Sequence, residues 1–319
     1  MIQATHVKKM QWITLWACVA VWGVNSVATK VALNPSLIHM TGKPVDVVLF
    51  NALRFAFSAV LLGLIICLIA PKSLKVDRAA IWFCTLSGIV AIAGGETIFT
   101  EAIRRTSIAN VTLLAPGTMP LFVAIWSAIV GRYRLQHSTW IGGLVALVGV
   151  GIVAGWQGVS FTGDSGAMIG NVLAISRSLI HALYLVYLTQ MLKKHDAINV
   201  TFYNVLMGVI WFIPILFFRH TPLSIASFGA ATWFGLAWSV IPTTVIGYSA
   251  WNWAMGGLGQ VASVRIMYFL PLFGGISAWI LLGEPLGWNH WIGGAIILAG
   301  VSISKSQWIN QKIVDRLVR

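Results

Sequence analysis

The chain has 319 residues, of which 58% are hydrophobic and only 9% charged, far below the ~25% charged residues of an ordinary soluble domain. Its 21 Lys and Arg against 8 Asp and Glu give a formal net charge of +13, an excess that would suggest nucleic acid in a soluble protein. The apolar residues instead come in runs of about 20, the length of a bilayer-spanning helix, which excludes a soluble domain, a nucleic-acid binder and the alternating strands of a membrane barrel.

Breakers cut these runs into ten predicted helices. The first, 12–33, carries Cys18, Trp22, Asn25 and Lys30 and has no small-residue cleavage site, so it is expected to be retained. Pro35, Gly42 and Pro44 separate it from 47–70, which holds Arg54 and ends at Pro71. The third, 79–101, contains Gly94-Gly95, Glu96 and Glu101; the fourth and fifth, 108–130 and 139–155, are divided at Gly131. Gly163 and Gly166 open the sixth, 166–191, with Arg177, His181 and Tyr184. The seventh, 200–218, stops before Pro222, and the eighth, 228–254, carries Tyr248, Trp251 and Asn252. Gly256-Gly257 precede 262–282, with Arg265 and Tyr268, and Pro285 precedes 290–304.

With the N-terminus inside, 13 Lys and Arg fall on the cytoplasmic side of these helices and 4 on the other. That asymmetry orients short loops, so both termini are expected in the cytoplasm. The two halves also repeat. Pro120-Leu121-Phe122 parallels Pro271-Leu272-Phe273, and Trp140-Ile141-Gly142-Gly143 parallels Trp291-Ile292-Gly293-Gly294, both at an offset of 151. Five helices per half is an odd number, so the second half must enter the membrane upside down. Inverted repeats of this kind build secondary transporters with a binding site near the midplane. The expected fold is therefore an all-α polytopic membrane protein of ten transmembrane helices, in two inverted five-helix repeats at 12–155 and 166–304.

The Trp22-Gly23-Val24-Asn25 run followed by Lys30, the Leu53-Arg54-Phe55 triplet, and a Pro-centred helix leading to Gly283-Glu284 and a Trp-Ile-Gly-Gly helix are ordered along a duplicated chain. In this the sequence resembles the EamA branch of the drug/metabolite transporter superfamily over residues 12 to 304. The resemblance implies ten helices and export of amino acids or related metabolites across the inner membrane. Two places depart from it: Gly131-Arg132 stands where the second half has Gly283-Glu284, and the sixth helix carries Arg177 and His181 at mid-membrane.

Ionisable groups inside a membrane mark function. Arg177 and His181, spaced i and i+4, share a helix face, and Tyr184 follows on the same side. Asn25, Arg177, His181, Tyr184, Tyr248, Trp251, Asn252 and Tyr268 are expected to bind substrate in a cavity walled by helices one, three, four, six, eight and nine. Arg177 would take a substrate carboxylate. Glu96, the deepest acid, is expected to carry proton coupling, with a static Glu96–Arg pair as the alternative. Lys30, Arg54 and Arg265 are read as interface anchors or vestibule residues, Glu101 as the ion-pair partner of Arg104 and Arg105, and Cys18, Cys67 and Cys84 as small core residues. An enzyme is disfavoured because Glu96 and Glu101 project about 140° apart on a helix. No cofactor, metal or nucleic acid is expected, and no phosphate loop for ATP occurs. The expected partners are a small-molecule substrate and the lipid bilayer, with the chain a monomer or a homodimer. A lipid-linked-sugar flippase of the same superfamily is the alternative function.

Overall fold

A computed structural model of the protein describes residues 2–69, 76–130, 137–155, 165–220, 225–259, 263 and 266–305. Among these no strand occurs. The helices are α1 (Ile2–Leu33), α2 (Val47–Ile69), α3 (Arg78–Arg105), α4 (Ile108–Ile129), α5 (His137–Gly155), α6 (Ser165–Met191), α7 (Ala197–Phe218), α8 (Ala230–Leu258), α9 (Leu270–Leu282) and α10 (Trp288–Lys305). Seven helices among the described residues, all but α5, α9 and α10, are long and apolar enough to cross a membrane, and α5 and α9 contain shorter apolar stretches. The protein is a multi-pass α-helical membrane protein.

Helix ends follow local chemistry. The Asp46 carboxylate accepts the Val48 and Leu49 amides at the start of α2, Asp77 accepts Ala80 N–H at 2.7 Å to open α3, and Ser107 accepts Asn110 N–H at 3.1 Å to open α4. Such caps satisfy the first-turn donors that a helix leaves free. Apart from two helices, every predicted boundary lies within four residues of the observed one. Helix α1 starts about ten residues earlier than its apolar run, because the polar residues before Trp12 continue the same helix; the predicted start of the ninth helix at 262 falls outside the described residues, and α9 is described from Leu270, after a short 3-10 turn, Met267–Phe269. Arg132, Asp164, Arg265, Trp308 and the C-terminal basic residues lie outside the described residues.

Small residues let helices touch at backbone distance. A Cβ on Gly149 of α5 would stand 2.7 Å from Gly293 O of α10, and one on Gly300 of α10 only 2.5 Å from Gly142 O. The Gly-rich faces of α5 and α10 thus pack on each other inside the chain, as small-residue faces do in membranes. Helix α4 packs on α6, α1 on α9, and α2 on α7.

Helices α3 and α8 each widen to a π-helical stretch at mid-length, Gly88–Glu96 and Ser239–Tyr248. Gly94-Gly95 in the first and Pro242, which has no N–H to donate, in the second relax the ordinary i→i−4 pattern. Side chains satisfy some of the displaced carbonyls: Asn51 donates to Glu96 O at 3.4 Å, Trp22 to Thr243 O at 3.2 Å, and the Cys18 thiol to Gly247 O at 3.5 Å. Cys18 and Cys84 are core residues, whereas Cys67 is exposed on the outside of α2.

Candidate functional site

The two π-helical stretches converge on Arg54. From α2 its guanidinium reaches Glu96 Oε2 at 3.4 Å, where the first stretch ends. It also donates to Thr244 Oγ1 at 3.0 Å and to the Tyr248 hydroxyl at 3.4 Å, both in the second. Its charge lies over the Phe55 ring at 4.7 Å and the Tyr248 ring at 5.9 Å. On the other side of the carboxylate, Arg177 of α6 donates to Glu96 Oε1 at 2.8 Å and stands 4.8 Å from the Phe99 ring centre. All three charged side chains are buried. π-Helical turns often sit at functional sites, and here two of them bring an acid, a hydroxyl and a phenol to one guanidinium.

Arg54 corrects the sequence reading. Counted along the chain it lies two turns from a helix end, within snorkelling reach, yet it is 3% exposed and paired at the centre. Its partner is on another helix, so no spacing on α2 announces it; the one signal was an arginine in an otherwise apolar run.

Beside the triad lies a cavity of about 40 Å³, room for about three waters. Glu96, His181, Tyr184, Tyr248, Trp251 and Asn252 form its polar and aromatic walls. Trp22 and Met267 also line it, and sequence reasoning did not select them. Trp22 packs against Trp251 at 4.9 Å and edge-on against Tyr248 at 5.9 Å. His181 faces Tyr184 with ring centres 5.4 Å apart. Asn252 donates to Thr201 at 2.8 Å. Arg177 stands behind Glu96, and its Nε is buried with no hydrogen-bond partner among the described residues. One predicted position lies elsewhere, and the side chain of another is not described. Asn25 accepts from Ser239 at 2.8 Å above the cavity, and Tyr268 falls in the short turn before α9, its side chain outside the described residues. Helix α4, predicted as a wall, contributes none among the described residues.

The cavity extends from Glu96 toward the end of the molecule where Asp77 meets His195 Nε2 at 3.4 Å. The opposite end is closed by polar cross-links. Lys30 of α1 pairs with Glu284 at 2.5 Å and donates to Thr106 O at 2.9 Å, while the other Glu284 oxygen accepts Ile108 N–H at 2.8 Å. Gly283, at φ +66°, ends α9 in a left-handed turn that a side chain would strain, and Glu284 follows it directly. Asn110 and Thr106 both donate to Asn171 Oδ1, at 3.2 and 2.9 Å, and Asn110 Oδ1 meets His290 Nε2 at 3.2 Å. Arg219 reaches Asp46 at 3.5 Å. Glu101 pairs with Arg104 and Arg105, as its spacing indicated. No group of His, Cys, Asp and Glu suited to a metal ion occurs among the described residues.

The model of the EamA-like transporter family matches residues 10–155 and again residues 168–305. The chain belongs to the EamA-like transporter family. It is 24% identical over 251 residues to the "Uncharacterized transporter YyaM" of Bacillus subtilis, covering 78% of this chain and 81% of that one. An "Uncharacterized transporter" of Archaeoglobus fulgidus is 26% identical over 302 residues, with 92% and 98% covered. The "Probable amino-acid metabolite efflux pump" of Salmonella typhimurium is 25% identical over 295 residues, with 90% and 91% covered. One solved crystal structure superposes with a TM-score of 0.64 at 18% identity, over 92% of this chain and 95% of that one, a likeness of fold. This family member is a transporter rather than an enzyme, with a small molecule as its substrate.

Proposed function

We propose that the protein exports small carboxylate-bearing metabolites, amino acids or related compounds, across the inner membrane by alternating access. The observation that carries this reading is the buried Arg54–Glu96–Arg177 triad beside an aromatic-lined cavity, with an unpaired Nε on Arg177. A guanidinium takes a carboxylate through two parallel bonds, and Trp22, Tyr184, Tyr248 and Trp251 offer surface for the rest of the molecule. The efflux pump among the relatives supports the direction and the class. At about 40 Å³ the cavity is a contracted form of such a site, since ligand pockets usually span hundreds of Å³.

In this reading all ten helices cross the membrane, both termini are cytoplasmic, and 12–155 and 166–304 are inverted repeats. The constant offset supports the repeat, and the π-helical stretches begin at Gly88 and Ser239 with the same 151-residue spacing. The Asp77–His195 end is then cytoplasmic and the Lys30–Glu284 end external, so the site faces its source of substrate with the exit closed.

Purified protein in proteoliposomes, assayed for counterflow of labelled amino acids, tests the site. Arg177→Lys keeps the charge but not the fork, so its transport should collapse; normal transport by this variant refutes the carboxylate role. Glu96 is proposed to carry proton coupling. Loss of proton-driven transport with retained counterflow in Glu96→Gln supports that role, and unchanged proton-driven transport reduces Glu96 to a counter-ion.

A further inference from the structure

The triad holds two guanidiniums against one carboxylate. Of the chain's 8 acidic residues, Asp46, Asp77, Asp164, Asp196 and Asp315 lie outside the predicted helices, Glu101 and Glu284 are committed to basic partners at one end, and only Glu96 reaches mid-membrane. Among the described residues, three aromatic rings and two neutral hydroxyls also contact the guanidiniums. Rings and hydroxyls moderate a buried cation but do not neutralise it. The triad by itself therefore carries a surplus of one positive charge.

We propose that Arg54, through this surplus charge, selects substrates bearing one more negative than positive charge, so that the loaded site is neutral. This rests on the site assigned above and narrows the substrate class from amino-acid-like compounds in general to their net anions: N-acylated amino acids, 2-oxo acids or acidic amino acids. Arg54 acts here as a charge behind Glu96 and Tyr248, which line the cavity, since its own nitrogens are engaged by Glu96, Thr244 and Tyr248. Such a substrate also gains a driving force for export. An elementary negative charge leaving a cell with 100 mV inside-negative potential gains a factor of about fifty in equilibrium distribution.

The experiment uses the full chain in lipid nanodiscs and three probes of one skeleton: N-acetylphenylalanine (charge −1), phenylalanine (net zero) and phenylalaninamide (+1). Dissociation constants come from ligand-dependent shifts of the thermal unfolding midpoint. The wild type should bind the anion about tenfold or more tighter than the zwitterion and the cation weakest, as expected for one surplus charge at short range in a partly desolvated site. Arg54→Gln should abolish the preference for the anion and Arg54→Lys should keep it, which separates charge from hydrogen-bond geometry. Glu96→Gln, which raises the surplus to two, should widen the preference, so a folding defect in one variant leaves the opposite shift readable in the other. Equal affinity for anion and zwitterion in the wild type, or an anion preference that survives Arg54→Gln, overturns the inference while leaving the transport site intact. Binding of none of the three overturns the site assignment and this inference together.

Discussion

Breaking the Lys30–Glu284 pair should open the closed end. Lys30 donates two charge-assisted hydrogen bonds, to Glu284 and to Thr106 O, with 15% of its side chain exposed. Each such bond contributes about 1.5–3 kcal/mol when buried. Partial exposure and the second Glu284 partner, Ile108 N–H, bring the net loss in Lys30→Met to about 2 kcal/mol. The pair joins α1 to the turn after α9 and to the α3–α4 connection, which must part for that end to open. The loss therefore falls on the closed state, and the closed-to-open ratio should drop by roughly 25-fold, at 1.4 kcal/mol per factor of ten. The reporter is a cysteine at Asn25, 7% exposed in this structure, in a background without Cys18, Cys67 and Cys84. A membrane-impermeant maleimide added from the Lys30–Glu284 side should label it about 25-fold faster in Lys30→Met. Glu284→Gln should give a similar rise and the double variant little more, because the two act as one pair. An unchanged labelling rate in the folded Lys30→Met protein refutes the gate, and strictly additive rises refute the pairing.

Glu96→Gln should lower stability by about 3–5 kcal/mol, since it leaves two buried guanidiniums without their shared counter-ion; a thermal midpoint equal to the wild type in nanodiscs would contradict that. Gly208→Ala would place a Cβ 2.4 Å from Ile92 Cγ2 and push α7 off the first π-helical stretch, costing about 1–3 kcal/mol; adding Ile92→Ala should restore part of the lost midpoint. The Asp77 carboxylate is held below the usual aspartate range, first by the Ala80 N–H, with desolvation opposing it next, and then by nearby His195 and Lys194. Its contribution to stability should be complete above the ordinary aspartate pKa of about 3.9 and fade as pH falls through the lower folded value. The midpoint difference between wild type and Asp77→Asn should therefore be full at pH 7 and shrink below pH ~4, and a difference that grows toward acid would refute the cap.

What could be read from the sequence was local. Apolar runs about 20 residues long, cut by Pro and Gly, located the helices because the cost of burying unpaired backbone in lipid leaves the helix as the economical form for such runs. The i, i+4 spacing of Arg177 and His181 placed both on one face, and Glu101 lay within reach of Arg104 and Arg105 by the same rule. Five of the predicted binding residues, His181, Tyr184, Tyr248, Trp251 and Asn252, and Glu96 reached the cavity wall because they sit on helices whose apolar pattern already faced inward. The pairings that define the site were not local. Arg54 meets Glu96 42 residues away, and Lys30 meets Glu284 254 residues away, distances at which spacing along one helix carries no information. The π-helical stretches were also invisible to a reading that assumes 3.6 residues per turn, although Gly94-Gly95 and Pro242 mark where that period breaks. Helix positions follow from how each segment meets lipid, whereas the charge partners inside were decided by which helices approach closely enough for a guanidinium to reach a carboxylate.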